Sequence, residues 1–260
     1  MQSNFPKVSI YVIVIFLVFA ASLFKIADLD FWWHLKTGQI TLEQKQFQRT
    51  EIYSFTAAGR EYIDHEWLFQ VVMFWFYSKF GPAGAIVLKC AIFSLIYVLT
   101  TRYLLQQASS PFLIFAIQIL SICGGMPRMI ERPEIFTALF FITTFLIVDY
   151  SLRNHKRAIL IFLPPLFVIW SNFHAAVILG LVLLGIFAAG LVLEFLMKRE
   201  QYPTYYNSSL KDLGVIVLLL VVCAVASGLN PYGYRVLTVP FELTSIINSG
   251  ILNKIGRAHV

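Results

Sequence analysis

Seven stretches of the chain are too apolar, for their length, to belong to a water-soluble fold: residues 8–27, 83–105, 111–126, 134–151, 158–172, 174–197 and 212–229. Each approaches or exceeds the run that a helix needs to cross bilayer hydrocarbon. Backbone groups in lipid must hydrogen-bond within their own segment, so these runs predict helices and not irregular chain. Composition agrees. The chain is 58% hydrophobic and only 13% charged, with 24 Phe, 12 Tyr, 5 Trp and a mean hydropathy of +0.75, whereas soluble domains carry about 25% charged residues. The reading is an all-α, polytopic membrane protein of about seven spans.

The N-terminal run follows a single Lys, is longer than a signal-peptide core and leads to no small-residue cleavage site, so it reads as a retained first helix. The runs 111–126 and 158–172 are short and must cross steeply or share a hairpin. The stretch "WLFQVVMFWFYSKFG" at 67–81 is aromatic but reaches Lys79 and the Gly81-Pro82 break after about a dozen residues. Charge decides its place. With 67–78 as an interfacial helix, Lys7, Arg102, Arg153, Lys156, Arg157, Lys198, Arg199 and Lys211 all fall on one side, the cytoplasmic one. The N-terminus is then cytoplasmic, and a large first external loop at 28–82 carries the interfacial helices. The remaining spans occupy 83–229, and an external segment follows at 230–254.

The same parity puts every unusual polar motif on the external face: "DLDFWWH", "YIDHEW", "MPRMIERPE", "WSNFH" and "LNPYGYR". Asp28 and Asp30 open a probable helix, "FWWHLKTGQITLEQ", along the membrane surface. Asp30 is either its N-cap or a general base, and Asp28, Asp30 and His34 are the residues that would hold a divalent metal ion near a phosphate, if any do. His34 lies one turn beyond Asp30, so both can face one site. Asp64, His65 and Glu66 precede the aromatic helix, where Glu66 is either a helix-start residue or catalytic. Phe69 stands where a zincin's second His would be. Arg128 and Arg132 either pair with Glu131 and Glu134 or clamp a lipid phosphate. Asn172 and His174 lie at a hairpin tip, and Arg235, after the Pro-Gly turn, offers another cation. Asn207 begins a glycosylation sequon that the predicted cytoplasmic placement discounts.

Other classes find no support. The net charge of +6 is scattered through short loops, which argues against nucleic acid as a partner. No phosphate-binding glycine loop, dinucleotide fingerprint or GxSxG elbow occurs, so nucleotide chemistry and serine hydrolysis have no residues to use. Cys90, Cys123 and Cys223 lie far apart in apolar segments and read as small core or lipid-facing residues. Lys89 and Glu194 are nearly alone as ionisable residues within the spans, which counts against an ion-coupled transporter.

Taken in order, "DLD" and "WWHLKTGQ" after a first helix, "EIYSFTAAGREYIDHEWL", an aromatic helix ending in "FG", then "RPE", "NFH" and "NPYG" resemble the GT-C superfamily of membrane glycosyltransferases. The likeness is to bacterial members of the protein mannosyltransferase and aminoarabinose transferase group, and it covers most of the chain. It implies a polyprenyl-phosphate-linked sugar donor and a catalytic acid in the first external loop. Carried onto these positions, Asp30 or Asp28 is the base, His34 and Glu66 orient it or join a metal site, and Arg128 and Arg132 meet the lipid phosphate. Asp28 and Asp30 are separated by one residue, a departure from the adjacent acidic pair common in mannosyltransferases. The competing readings are a non-catalytic scaffold for envelope polysaccharide assembly and a lipid or polymer transporter. The ending "IGRAHV" (255–260) matches a translated sequencing-adapter segment, so authentic sequence is expected to stop near Lys254 and this piece to be inactive by itself.

Overall fold

The computed structural model describes residues 5–55, 58–107, 110–197, 206 and 209–248. Within them the chain is helical: α1 (Phe5–Ser22), α2 (Phe31–Gln44), α3 (Trp67–Gln107), α4 (Pro111–Gly125), α5 (Glu134–Asn154), α6 (Leu163–Phe173), α7 (Ile178–Leu196), α8 (Leu210–Ser227) and α9 (Val239–Asn248). Short 3₁₀ turns link several of them, and the described residues contain no strand beyond one isolated bridge, Thr50 to Glu61. Among the described residues, five helical segments are long and apolar enough to cross a membrane: Trp67–Gln107, Pro111–Arg128, Glu134–Asn154, Ala175–Leu196 and Leu210–Ser227. Two shorter apolar ones, Val8–Ser22 and Arg157–Phe173, account for the other expected runs. The helices turn large apolar side chains outward, Phe16, Phe112, Leu120 and Leu196 among them, as suits an integral membrane protein whose solvent is hydrocarbon.

The boundaries differ from expectation in two places. The first helix ends at Ser22, whose hydroxyl donates back to the carbonyl of Val18 at 2.7 Å, so residues 23–27 are a connector and not the end of a span. The last long helix starts at Leu210, because Ser209 and Asp212 close a reciprocal capping box that draws the helix start forward. The sequon at 207–209, the basic residues Lys198 and Arg199 and the tail 249–260 fall wholly or partly outside the described residues.

The chain divides into two compact units, residues 1–46 with 67–160, and residues 47–66 with 161–260. In the first, Ile10, Val14 and Val18 form an i, i+4, i+8 stripe on α1 that packs on Tyr97 of α3, Ile114 and Ile122 of α4, and Met129. Polar bonds tie the same helices: Gln118 Nε2 donates to Thr101 Oγ1 at 2.8 Å, and the Tyr97 and Ser121 hydroxyls meet at 3.1 Å. α3 breaks at Gly81 (φ 62°, ψ −158°), just before Pro82. Proline forbids the helical bond across the break, and glycine accepts the positive φ. The arm before the break packs against α2, whose buried Phe31, His34, Leu35, Gly38 and Thr41 form one face.

In the second unit α6 and α7 pack on α8. Gly180 lets α7 approach Trp170 and Phe167 of α6 so closely that a Cβ there would stand 2.5 Å from the indole. Between these helices the backbone of His174 is extended.

At Gly38 a Cβ would lie 2.2 Å from the carbonyl oxygen of Gln70, a backbone atom that cannot move aside alone. Gly38→Ala is expected to destabilise the α2–α3 packing by about 1–3 kcal/mol, read as a lowered Tm in detergent. Lys89 of α3 and Glu131 are both fully buried, with Nζ 2.7 Å from Oε1. Lys89→Met strands a buried carboxylate and is expected to cost about 3–5 kcal/mol, most of which the double variant Lys89→Met, Glu131→Leu recovers. The same Tm for the single and double variants would contradict the pairing.

Candidate functional site

Among the described residues, most of the sequence-predicted site residues gather in two polar clusters, one in each unit. The first grows from the connector after α1. Asp28 accepts the backbone N–H of Asp30 on Oδ1 at 3.3 Å, which fixes the turn into α2. Asp30 occupies the N-cap position, yet its side chain makes no capping bond. It reaches instead to Arg132, in the loop before α5.

The guanidinium takes Asp28 as a fork. Nε donates to Oδ2 at 2.6 Å and Nη2 to Oδ1 at 2.9 Å, while Nη2 also donates to Asp30 Oδ2 at 3.1 Å. Of the five N–H donors on an arginine this employs three, leaving the Nη1 edge. Arg132 therefore pairs with the two aspartates and not with Glu131 or Glu134, its neighbours in sequence. Glu131 turns the other way to Lys89, whose ammonium also lies 3.8 Å from the centre of the Phe24 ring. Arg128 is exposed and makes no hydrogen bond or ion pair among the described residues.

The two acids differ. Burial alone would push the Asp28 carboxyl up, but the Arg132 hydrogen bonds and the Asp30 N–H outweigh it and hold Asp28 below its usual range. Hydrogen bonding to Asp28 raises the Arg132 guanidinium in turn, against a smaller effect of burial. Asp28 is thus a poor proton acceptor. Asp30 has its side chain 52% exposed and a single contact to Arg132, so the surplus negative charge of the trio rests on it. His34 is buried beneath, edge-on to Phe69, with Nδ1 3.5 Å from Gln70 Nε2. Among the described residues, no group of three or more His, Cys, Asp or Glu is placed to hold a metal ion.

The second cluster gathers the other candidates. Glu66 Oε1 lies 3.2 Å from His65 Nε2 and 3.6 Å from His174 Nε2, and the two imidazoles are 6.3 Å apart. Asp64 is buried close by in sequence. Asn172 acts on backbone. Its amide donates to the carbonyls of Val168 at 2.7 Å and Leu229 at 3.0 Å, and Asn230 answers by donating to Ser171 at 2.8 Å. The turn after α8 then clamps the 47–66 loop, with the Tyr232 hydroxyl donating to the Gln48 carbonyl at 2.6 Å and Arg49 donating to that of Pro231 at 3.4 Å. Arg235 forms an exposed ion pair with Glu61. Reading the sequence missed these links, since "NFH" and "LNPYG" carry no mark of mutual contact.

No protein family, curated protein or solved structure matches the chain.

His65 gives this cluster a pH dependence. Burial pushes its pKa down, but hydrogen bonding to Glu66 and to the Ile63 carbonyl overcomes that and leaves it raised above 6.5. A ring whose two nitrogens face a carbonyl and a carboxylate donates from both when it is the imidazolium. Its stabilisation is present in full below the unfolded-state pKa and is lost as pH rises through the higher folded value. His65→Gln is therefore expected to lower Tm more at pH 6 than at pH 9, as measured by thermal unfolding in detergent.

Proposed function

We propose that the protein is a membrane glycosyltransferase of the GT-C type, transferring a sugar from a polyprenyl-phosphate-linked donor to an envelope, lipid or protein acceptor. On this reading all seven apolar segments cross the bilayer, α2 and the first arm of α3 lie at the external interface, and the N-terminus is on the cytoplasmic side of a bacterial inner membrane. The observation that supports it best is the Asp28–Arg132–Asp30 trio, where the connectors after α1 and before α5 meet. A carrier lipid keeps its tail in hydrocarbon and presents its phosphate at the ends of such helices.

The division of labour follows from the hydrogen bonds. Asp30 takes the proton of the acceptor hydroxyl or amine as that group attacks the anomeric carbon. The bond from that carbon to the phosphate oxygen breaks, and its electron pair departs with the polyprenyl phosphate. Arg128 and the free Nη1 edge of Arg132 stabilise the charge arriving on the leaving phosphate. Asp28 positions Arg132 and takes no proton. Glu66, His65 and His174 hold one another in the second unit and have no step in this scheme.

The test is glycan product in cells expressing the full-length protein, together with release of polyprenyl phosphate from labelled donors in their membranes. Asp30→Asn is expected to lower turnover about 10²–10⁴-fold, with donor binding retained. Arg128→Gln is expected to lower kcat, and to raise KM where the same guanidinium also holds the phosphate of the bound donor. Undiminished product from Asp30→Asn would overturn the proposal and favour the scaffold reading, in which the acidic connector docks a partner.

A further inference from the structure

The first unit has a second polar feature at the far end of α5. Arg132 stands just before this helix, and its 21 residues span about 30 Å at 1.5 Å per residue. A cavity of about 650 Å³ lies between the last turns of α3 and α5. Its lining includes the apolar Leu99, Leu146 and Ile147 together with Arg102, Arg153 and the buried Asp149. Tyr103 and Tyr150 also line it.

The charges in the lining do not cancel. Each nitrogen of the Arg153 guanidinium has a partner: Nε donates to Asp149 at 2.9 Å, Nη1 to Gln107 Oε1 at 2.8 Å and Nη2 to the Tyr103 hydroxyl at 3.3 Å. Asp149, the only acid in the lining, is thereby neutralised. Arg102 is exposed on the same wall and makes no hydrogen bond or ion pair among the described residues. A single uncompensated guanidinium thus sits above an apolar trough, flanked by two tyrosines of the kind that anchor at headgroup level.

We propose that this cavity binds an anionic phospholipid, with the headgroup phosphate on Arg102 and an acyl chain against Leu99, Leu146 and Ile147. A free phosphate would leave the apolar trough empty. A zwitterionic lipid would set its own cation beside Arg102. An anionic amphiphile satisfies both parts of the site, and a guanidinium fork suits its phosphate oxygens. The site is separate from the Asp30 trio and does not depend on the transferase reading.

The experiment is native mass spectrometry of the purified full chain in detergent, titrated with dioleoyl phosphatidylglycerol, dioleoyl phosphatidylcholine or inorganic phosphate. The wild type is expected to retain phosphatidylglycerol in preference to phosphatidylcholine. Arg102→Gln should lower phosphatidylglycerol retention about fivefold and leave phosphatidylcholine unchanged, and Arg102→Lys should restore most of it. Because Arg102 is exposed, its replacement should leave Tm in lipid-free detergent near that of the wild type. Leu146→Trp, which fills the trough, should weaken retention with Arg102 in place. Equal retention of the two lipids, no effect of Arg102→Gln, or displacement of bound lipid by millimolar phosphate would each overturn the proposal.

Discussion

The first unit depends on how two neighbouring residues dispose of opposite charges. Glu131 and Arg132 follow each other in the connector between α4 and α5, where leaving either charge unpaired away from water would be costly. Glu131 turns inward to Lys89 and is fully buried with it. Arg132 turns to Asp28 and Asp30. One short connector is thereby joined to α3 on one side and to the α1–α2 junction on the other. The Lys89 ammonium completes the arrangement by donating to the Phe24 carbonyl at 3.4 Å, on that same junction. Apolar packing along α1, α3 and α4 supplies contact area but tolerates sliding of one helix on another. The directed charge pairs fix which ends meet.

That anchoring also separates two aspartates that look equivalent in the chain. An acid gripped by a bidentate guanidinium is stabilised as the anion and loses basicity, so Asp28 is suited to positioning. Asp30 shares only one N–H of the same arginine and is open to solvent. The buried partner orients the arginine, while the other keeps most of its carboxylate open to solvent. The DxD spacing contributes directly. The intervening Leu29 allows Asp28 to accept the Asp30 N–H and close a local turn, with both carboxylates presented to one guanidinium.

Legibility in the sequence follows the range of the interactions. The helices were readable because apolar length is a local property, and "FWWHLKTGQITLEQ" is the extent of α2. The break before Pro82 was readable from the Gly-Pro pair. The end of α1 was not, since "LFKIA" is apolar enough to continue a span and only the folded chain turns it into a connector. The candidate site was legible as a set of residues and illegible as a set of pairs. Arg132 has an acid one position before it, Glu131, and another two positions after it, Glu134, but takes partners about a hundred residues away. Lys89 read as a rare ionisable residue within a span, and nothing local pointed to Glu131. Pairings of that kind depend on which helix ends come together, and no periodicity encodes them.

The asparagines show the converse error of reading function into polarity. Asn172 and Asn230 sit in motifs that look reactive, yet each donates its amide to a carbonyl in the other's segment, and Asn230 Oδ1 accepts the N–H of Tyr232. Where helices end in an apolar surround, exposed carbonyls need donors, and a short amide is an economical one. A polar residue at such a site is therefore informative about ligands only after its backbone obligations are counted. By that measure Asn172 belongs to the scaffold of the second unit. In the first unit, Arg102 and Arg128 are left with charge that the described fold does not use, Arg132 with one unused edge, and Asp30 with most of its carboxylate. Charge left uncompensated in a membrane protein is costly, so these groups mark the positions where a partner outside the chain would have most effect.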